Sequence, residues 1–329
     1  MGLLARGDPE FILEQSRWFD YRMSAEVSDF ALDVESVSRL ESGEAVATMR
    51  MSYLIGPERE PREVRFAQRY RKVGDAWLDA DLDLLSRESD HFVLRYQAGA
   101  NEASITRILE NAESAWYSVR RAYGQDPAPK TTLKAFVDRE LLRQNTKITI
   151  GRLFNGWAEP GESIKLWIRP DAAYKYTAVI AHEMVHALTL AIASNQCSWF
   201  AEGLANHFGS FAAMGGDYLS SGYHEPADYD KPVAWLAELD SQTIDDDETW
   251  FLYGGMAGTV VRFMAERYGR DTPQAVVRAL AAYPQARGGY VYALHDAAWR
   301  EDLAGAIITA TGVDMDRFEA DWRAWIRSR

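Results

Sequence analysis

The run TAVIAHEMVHALTLAIA, residues 177–193, is almost wholly apolar, yet His182, Glu183 and His186 stand in its middle. An unpartnered charge is costly to bury, so these three must answer to a ligand or to one another. At 3.6 residues per turn, His182 and His186 leave one face of a helix about a turn apart, and both imidazoles can reach a single cation. Glu183 leaves to the side of that face, where it can hold a water beside the metal without ligating it. The His-Glu-x-x-His spacing therefore supplies two ligands and a general base. Zinc lowers the pKa of such a water, Glu183 takes its proton, and the hydroxide formed attacks a carbonyl. The plain alternative is a hydrogen-bonded histidine pair on a buried helix.

A hydrolytic zinc site needs a third protein ligand and an open fourth position. A histidine six residues past His186 is excluded, because Ile192 stands there, and Thr189 occupies the position where that spacing needs glycine. Glu202 follows His186 by sixteen residues, in SWFAEGLANHFGS (198–210). A helical hairpin turning through the polar SNQCS (194–198) would return Glu202 to the two histidines. Two neutral imidazoles and a carboxylate suit Zn²⁺, one ion per chain.

AHEMVHAL (181–188) followed by WFAEGLANHFG (199–209) resembles the gluzincin metallopeptidases, the group of thermolysin and aminopeptidase N. It resembles most of all the bacterial peptidase-MA-like proteins, in which a Trp-x-x-Glu-Gly-x-Ala segment supplies the glutamate ligand. The likeness spans roughly residues 88–329. It implies a zincin fold and a zinc peptidase, with His182, His186 and Glu202 on the metal and Glu183 as base.

The resemblance implies three further roles. Asn206, four residues past Glu202, would orient a histidine ligand, where its plain reading is a helix-surface residue. Tyr253 would stabilise the oxyanion, with Tyr223 and His224 as rivals and a core tyrosine as the alternative. In NGWAEPGESIKLWI (155–168), the strand Ile164–Ile168 would be the sheet edge on which substrate adds as a strand, making Ile164 and Leu166 substrate-binding positions. Gly156 and Glu159 in that segment echo the Gly-x-Met-Glu-Asn motif by which aminopeptidases hold a free amine, although Ala158 and Pro160 replace its Met and Asn. An exposed glutamate in a turn is the alternative for Glu159. His207 reads as a helix-surface residue, with a place facing the site as the alternative, and Cys197 as a plain buried thiol, with a regulatory ligand as the alternative; His91 and His295 have no partners in sequence.

The remaining composition sets bounds. The 329 residues carry a formal net charge of -13 and a pI near 5.0, which disfavours nucleic acid and anionic lipid as partners. Apolar residues at 47% and charged ones at 26% are those of an ordinary globular protein. One cysteine excludes an intrachain disulfide or a thiolate zinc site. No free apolar window of membrane-spanning length and no signal peptide are read, and the extracytoplasmic side is favoured over the cytoplasm without being fixed.

The expected fold is α+β. Residues 1–86 form a small accessory domain, a helix near 9–22 and four alternating strands, in a layout like nuclear-transport-factor-2-like or cystatin-like units. Residues 87–329 form the metallopeptidase domain, with the sheet and zinc helix in 87–193 and a helical part in 194–329. Three functional readings follow: a zinc-dependent peptidase acting on polypeptide or peptide, an aminopeptidase, or a zinc-holding binding or scaffold protein with little proteolysis. In a further variant, the N-terminal unit is an inhibitory lid.

Overall fold

Strict alternation in residues 45–55 builds the first sheet. Ala45, Ala47, Met49, Met51, Tyr53 and Ile55 are buried while every residue between them is partly exposed, as a pleated strand covered on one face requires. The computed structural model describes residues 4, 8–17, 27–128, 130–146, 154–171, 173–215, 226–229, 231–239, 244, 246–285 and 297–329. Helix α1 (Pro9–Arg17) precedes strands β1 (Val27–Arg39), β2 (Ala45–Ile55), β3 (Glu60–Val73) and β4 (Ala76–Leu82), which pair antiparallel in sequential order. Gly74, at φ 61°, makes the tight turn between β3 and β4. On β1, Phe30, Leu32, Val34 and Val37 remain exposed.

The second sheet has five strands, β5 (Leu85–Glu88), β6 (Phe92–Tyr96), β7 (Thr131–Phe136), β8 (Gly156–Trp157) and β9 (Ile164–Trp167), in the order β5-β6-β7-β9-β8. The β6–β7 and β7–β9 pairs are parallel, while β5 and β8 are antiparallel borders. Helix α2 (Glu102–Tyr123) connects β6 to β7; Asn101 caps its start, and Gly124 ends it at φ 80°. The short α3 (Arg139–Gln144) follows β7. The expected division at 86/87 falls inside β5, whose ladder partner is β6.

The remainder is helical: α4 (Thr177–Ile192), α5 (Ser198–Leu204), a π-helix (Ala205–Phe211) running on to Met214, a 3₁₀ turn (Pro226–Tyr229), α6 (Val233–Glu238), α7 (Asp247–Tyr268), α8 (Thr272–Leu280), α9 (Ala297–Thr311) and α10 (Met315–Ile326). One core joins the inner face of the second sheet (Phe92, Leu94, Leu133, Ile164, Leu166) to α2, α4, α5, α7 and α10. No described helix is long and apolar enough to cross a membrane.

Two expectations need correction. Ile164–Ile168 is not the sheet edge: β9 is hydrogen-bonded on both sides, by β7 and β8, and Ile164 and Leu166 are fully buried. With both ladders taken, β9 cannot accept a further strand, and among the described residues the edge on this side is β8, one strand further out. The helix grouped with the meander in sequence has its contacts elsewhere. Glu14 meets Lys134 on β7 at 2.7 Å and Lys165 on β9 at 3.2 Å, and accepts from the Ser163 N–H at 3.1 Å. Asp81 of β4 adds a 2.6 Å contact to Lys134. Lys134 and Lys165 are neighbours across the β7–β9 ladder on its outer face, and an acidic helix had to cover them for both to be buried.

Candidate metal centre

Helix α4 carries an apolar surface nearly all round, which fits its position inside the core. Its N-terminus has no cap of its own. Asn111 on α2 supplies one, its Oδ1 accepting from the Tyr176 N–H at 2.7 Å and the Thr177 N–H at 3.2 Å. At the other side, Gly209 of the π-helix touches the α4 backbone. A β-carbon on Gly209 would stand 2.6 Å from the Ala181 carbonyl oxygen and 2.8 Å from His182 Cα.

The hairpin brings Glu202 to both histidines. His182 Nε2 lies 3.1 Å from His186 Nε2 and 3.3 Å from Glu202 Oε2, and His186 Nε2 lies 3.6 Å from Glu202 Oε1. Among the described residues, these three are the group of His, Cys, Asp and Glu side chains able to hold a metal ion. Ligands at ordinary zinc bond lengths around a tetrahedral ion stand about 3.3 Å apart, so the triangle and its donor chemistry fit zinc. His186 and Glu202 are buried, while His182 keeps 18% of its side chain exposed and marks the open side.

Ser210, absent from the sequence reading, joins the site, with its Oγ 3.2 Å from His182 Nδ1. An imidazole that offers Nε2 to a metal carries its proton on Nδ1, so with a metal at Nε2 His182 would donate this bond and Ser210 would fix the tautomer. The π-helix accounts for the placement. A four-residue step overshoots a full turn in an α-helix, by about 40°, and undershoots one in the wider π-helix. Glu202, Asn206 and Ser210 thus return to one line. Asn206 lies at His182 as well, helping to raise its pKa, while its amide donates to the Gly254 carbonyl at 3.0 Å.

Glu183 is buried under β8. A β-carbon on Gly156 would be 2.8 Å from Glu183 Oε1, so only glycine fits there. Burial, then the Glu202 and Glu159 carboxylates, push the Glu183 pKa up to about 8, against the pull of His182 and the Ala158 N–H. Burial and the neighbouring His182 lower His186 to about 3. Burial opposes charge on His182 too, but Glu202 outweighs it and raises His182, and His182 in return lowers Glu202. A proton shared by His182 and Glu202 is the feature that a cation would replace.

The other expected residues divide. Glu159 is buried and close enough to influence Glu183. Tyr253 requires correction: it is fully buried on α7, and its hydroxyl donates to Ser198 Oγ at 3.0 Å, so it presents no donor to an open cleft. Its placement braces the start of α5, the helix that carries Glu202. Tyr223, His224 and His295 lie outside the described residues. His91 has gained a partner in space, Glu113 at 2.6 Å, and stacks on Trp116. His207 is largely buried, and burial lowers it to about 4. The free Cys197 precedes α5.

No protein-family model and no curated protein sequence matches this chain. The solved structures distantly similar in shape include two peptidases. Legionella pneumophila aminopeptidase A, in complex with aspartic acid, shares 12% identity at a TM-score of 0.40, over 90% of this chain and 33% of that one. An M1 zinc metallopeptidase mutant from Deinococcus radiodurans, bound to a Tyr-Ser-Ala substrate, shares 13% identity at 0.39, over 92% of this chain and 61% of that one. This chain thus covers less than two thirds of either protein, and likeness at this level carries no conclusion about its activity.

Proposed function

We propose that the protein is a zinc-dependent peptidase. The observation that carries this reading is the triangle of His182, His186 and Glu202 donors with the Glu183 carboxylate held next to it, off the ligand set. A zinc ion there supplies Lewis acidity toward a water and a carbonyl oxygen. Glu183 takes the proton of the attacking water and delivers it to the leaving amine. Without metal, burial first and then the Glu202 and Glu159 carboxylates raise its pKa, and a cation bound beside it would draw that pKa back down and free the carboxylate to act as base. Serine fixes one imidazole, and Asn206 supports it. Peptide, rather than another carbonyl substrate, is favoured by the edge strand β8, which lies against Glu183 and offers backbone hydrogen bonds to an extended chain.

An aminopeptidase is the second reading, favoured by one observation: buried Glu159 lies on the segment that covers Glu183, where it could hold a substrate amine. A binding or scaffold protein is disfavoured by Glu183 itself, since a structural zinc needs no base. The test is Glu183→Gln in the full chain. Loss of hydrolysis of an unstructured protein, with one zinc per chain retained, supports the peptidase. Unchanged hydrolysis refutes the mechanism, and a zinc-loaded wild type that cleaves nothing returns the binding-protein reading.

A further inference from the structure

The segment bordering the second sheet carries opposite charge at its two ends. At one end, Glu159 and Glu183 stand together. At the other, Asn155 Oδ1 lies 3.4 Å from Arg169 Nη1. Arg169 and Arg139 both lie against the Trp167 ring, with guanidinium carbons 5.1 and 3.9 Å from its centre, and Arg169 also covers Tyr174 at 4.5 Å. Both arginines are half-buried, each has a buried Nε without a hydrogen-bond partner, and neither forms an ion pair among the described residues. That is unusual company in a chain with 49 acidic residues. Burial, then Arg169 and Arg143, hold Arg139 below the ordinary guanidinium pKa. An anion beside Trp167 would relieve this repulsion and accept charge-assisted hydrogen bonds.

The register connects this patch to the metal centre. Gly156 faces Glu183 on α4. Its neighbour Asn155, whose carbonyl accepts from the Trp167 N–H at 3.0 Å, belongs to the opposite face, where Trp167 and the arginines lie. Side chains of an added strand alternate in the same way. A peptide along β8 therefore places the residue beside Asn155 toward Arg169 and Arg139, one step from the residue facing Glu183. Its amine end matches Glu159, and its acidic end matches the arginines.

We infer that Arg139 and Arg169 bind a substrate carboxylate on the opposite side of the scissile bond from Glu159. The carboxylate is either the α-carboxylate of a short peptide or the side chain of Asp or Glu. This inference rests on the peptidase reading, but its test does not depend on turnover.

Binding is measured by calorimetry on the zinc-loaded Glu183→Gln protein with three probes: tetra-alanine, its C-terminal amide, and that amide with glutamate as the fourth residue. A carboxylate-bearing peptide should bind about tenfold more tightly than the neutral amide. Arg139→Gln and Arg169→Gln, made separately, should each bring it to the affinity of the amide. An advantage confined to tetra-alanine assigns the α-carboxylate, and one confined to the glutamyl amide assigns the side chain. Equal affinity for all three peptides, no binding of any, or an advantage that survives in both variants overturns the site. Arg139 keeps the test sound, because its guanidinium packs on the Trp167 ring and its replacement breaks no hydrogen bond among the described residues. A zinc-loaded wild type that cleaves none of the peptides counts separately, against the peptidase reading.

Discussion

Gly156 and Glu183 touch across the boundary between the second sheet and α4. A β-carbon on Gly156 would fall 2.8 Å from Glu183 Oε1 and 2.9 Å from its Cγ. The edge strand and the proposed base are therefore held in one geometry, and a methyl group between them must displace the carboxylate. Gly156→Ala is expected to lower kcat about a hundredfold while leaving one zinc bound, since no ligand moves. Metal analysis beside steady-state kinetics checks this; full activity in the alanine variant would disprove the contact's role.

Glu202 Oε2 lies 3.3 Å from His182 Nε2 and favours the protonated form of that imidazole in the metal-free protein, against burial. His182 is raised above 6.5, and a group so raised is charged below its folded pKa. Zinc must displace that proton, so its affinity should increase as pH rises through the folded pKa of His182 and level off above it. Calorimetry in buffers of different ionisation enthalpy should detect proton release on zinc binding at pH values below the folded pKa of His182. Glu202→Ala should abolish stoichiometric zinc binding.

Ser210→Ala removes the partner of His182 Nδ1 and should weaken zinc by about tenfold, the lower end of the effect of losing such a support. Ser210→Thr, which keeps the hydroxyl, should restore it. Gly209→Ala acts through packing instead, because its methyl would meet the Ala181 carbonyl at 2.6 Å. It should lower stability by about 1–3 kcal/mol, read as a lower midpoint in urea, with or without metal.

Glu14 ties α1 to two buried lysines, and its pKa is lowered to about 2; burial opposes this, and Lys165 and Lys134 outweigh it. The sign follows directly. A depressed carboxylate contributes stability that is complete above its unfolded value of 4.5 and is lost as pH falls toward 2. Glu14→Gln leaves the lysines with less compensation and should cost about 3–5 kcal/mol at neutral pH. Denaturation curves at pH 7 and pH 2.5 should show the difference between wild type and variant shrinking at the lower pH.

A lid formed by the N-terminal unit would need to leave the site when activity is released. Arg17 instead holds the turn that follows Glu159, donating to the Pro160 carbonyl at 2.8 Å and pairing with Glu162 at 3.1 Å. Removing residues 1–17 should therefore lower peptide hydrolysis rather than raise it, and a rise would restore the lid.

The sequence by itself determined what local periodicity can carry. The spacing of His182, Glu183 and His186 fixes their faces on any α-helix, and the alternation in 45–55 fixes the faces of β2, because both repeats are set by backbone geometry. The return of Glu202 was legible too, from a polar hairpin and a family-like segment. Tertiary structure decided the rest. Whether Ile164 or Gly156 lies at the edge depends on strand order, and a strand buried on both faces reads the same in either position. Ser210 reaches His182 through a π-helix whose phase no helical pattern reveals. Tyr253, which a motif placed at the reaction, spends its hydroxyl on Ser198. Asn111, Lys134 and Arg139 acquire their roles from partners brought near only when the sheets and helices pack, and no local spacing encodes those distances.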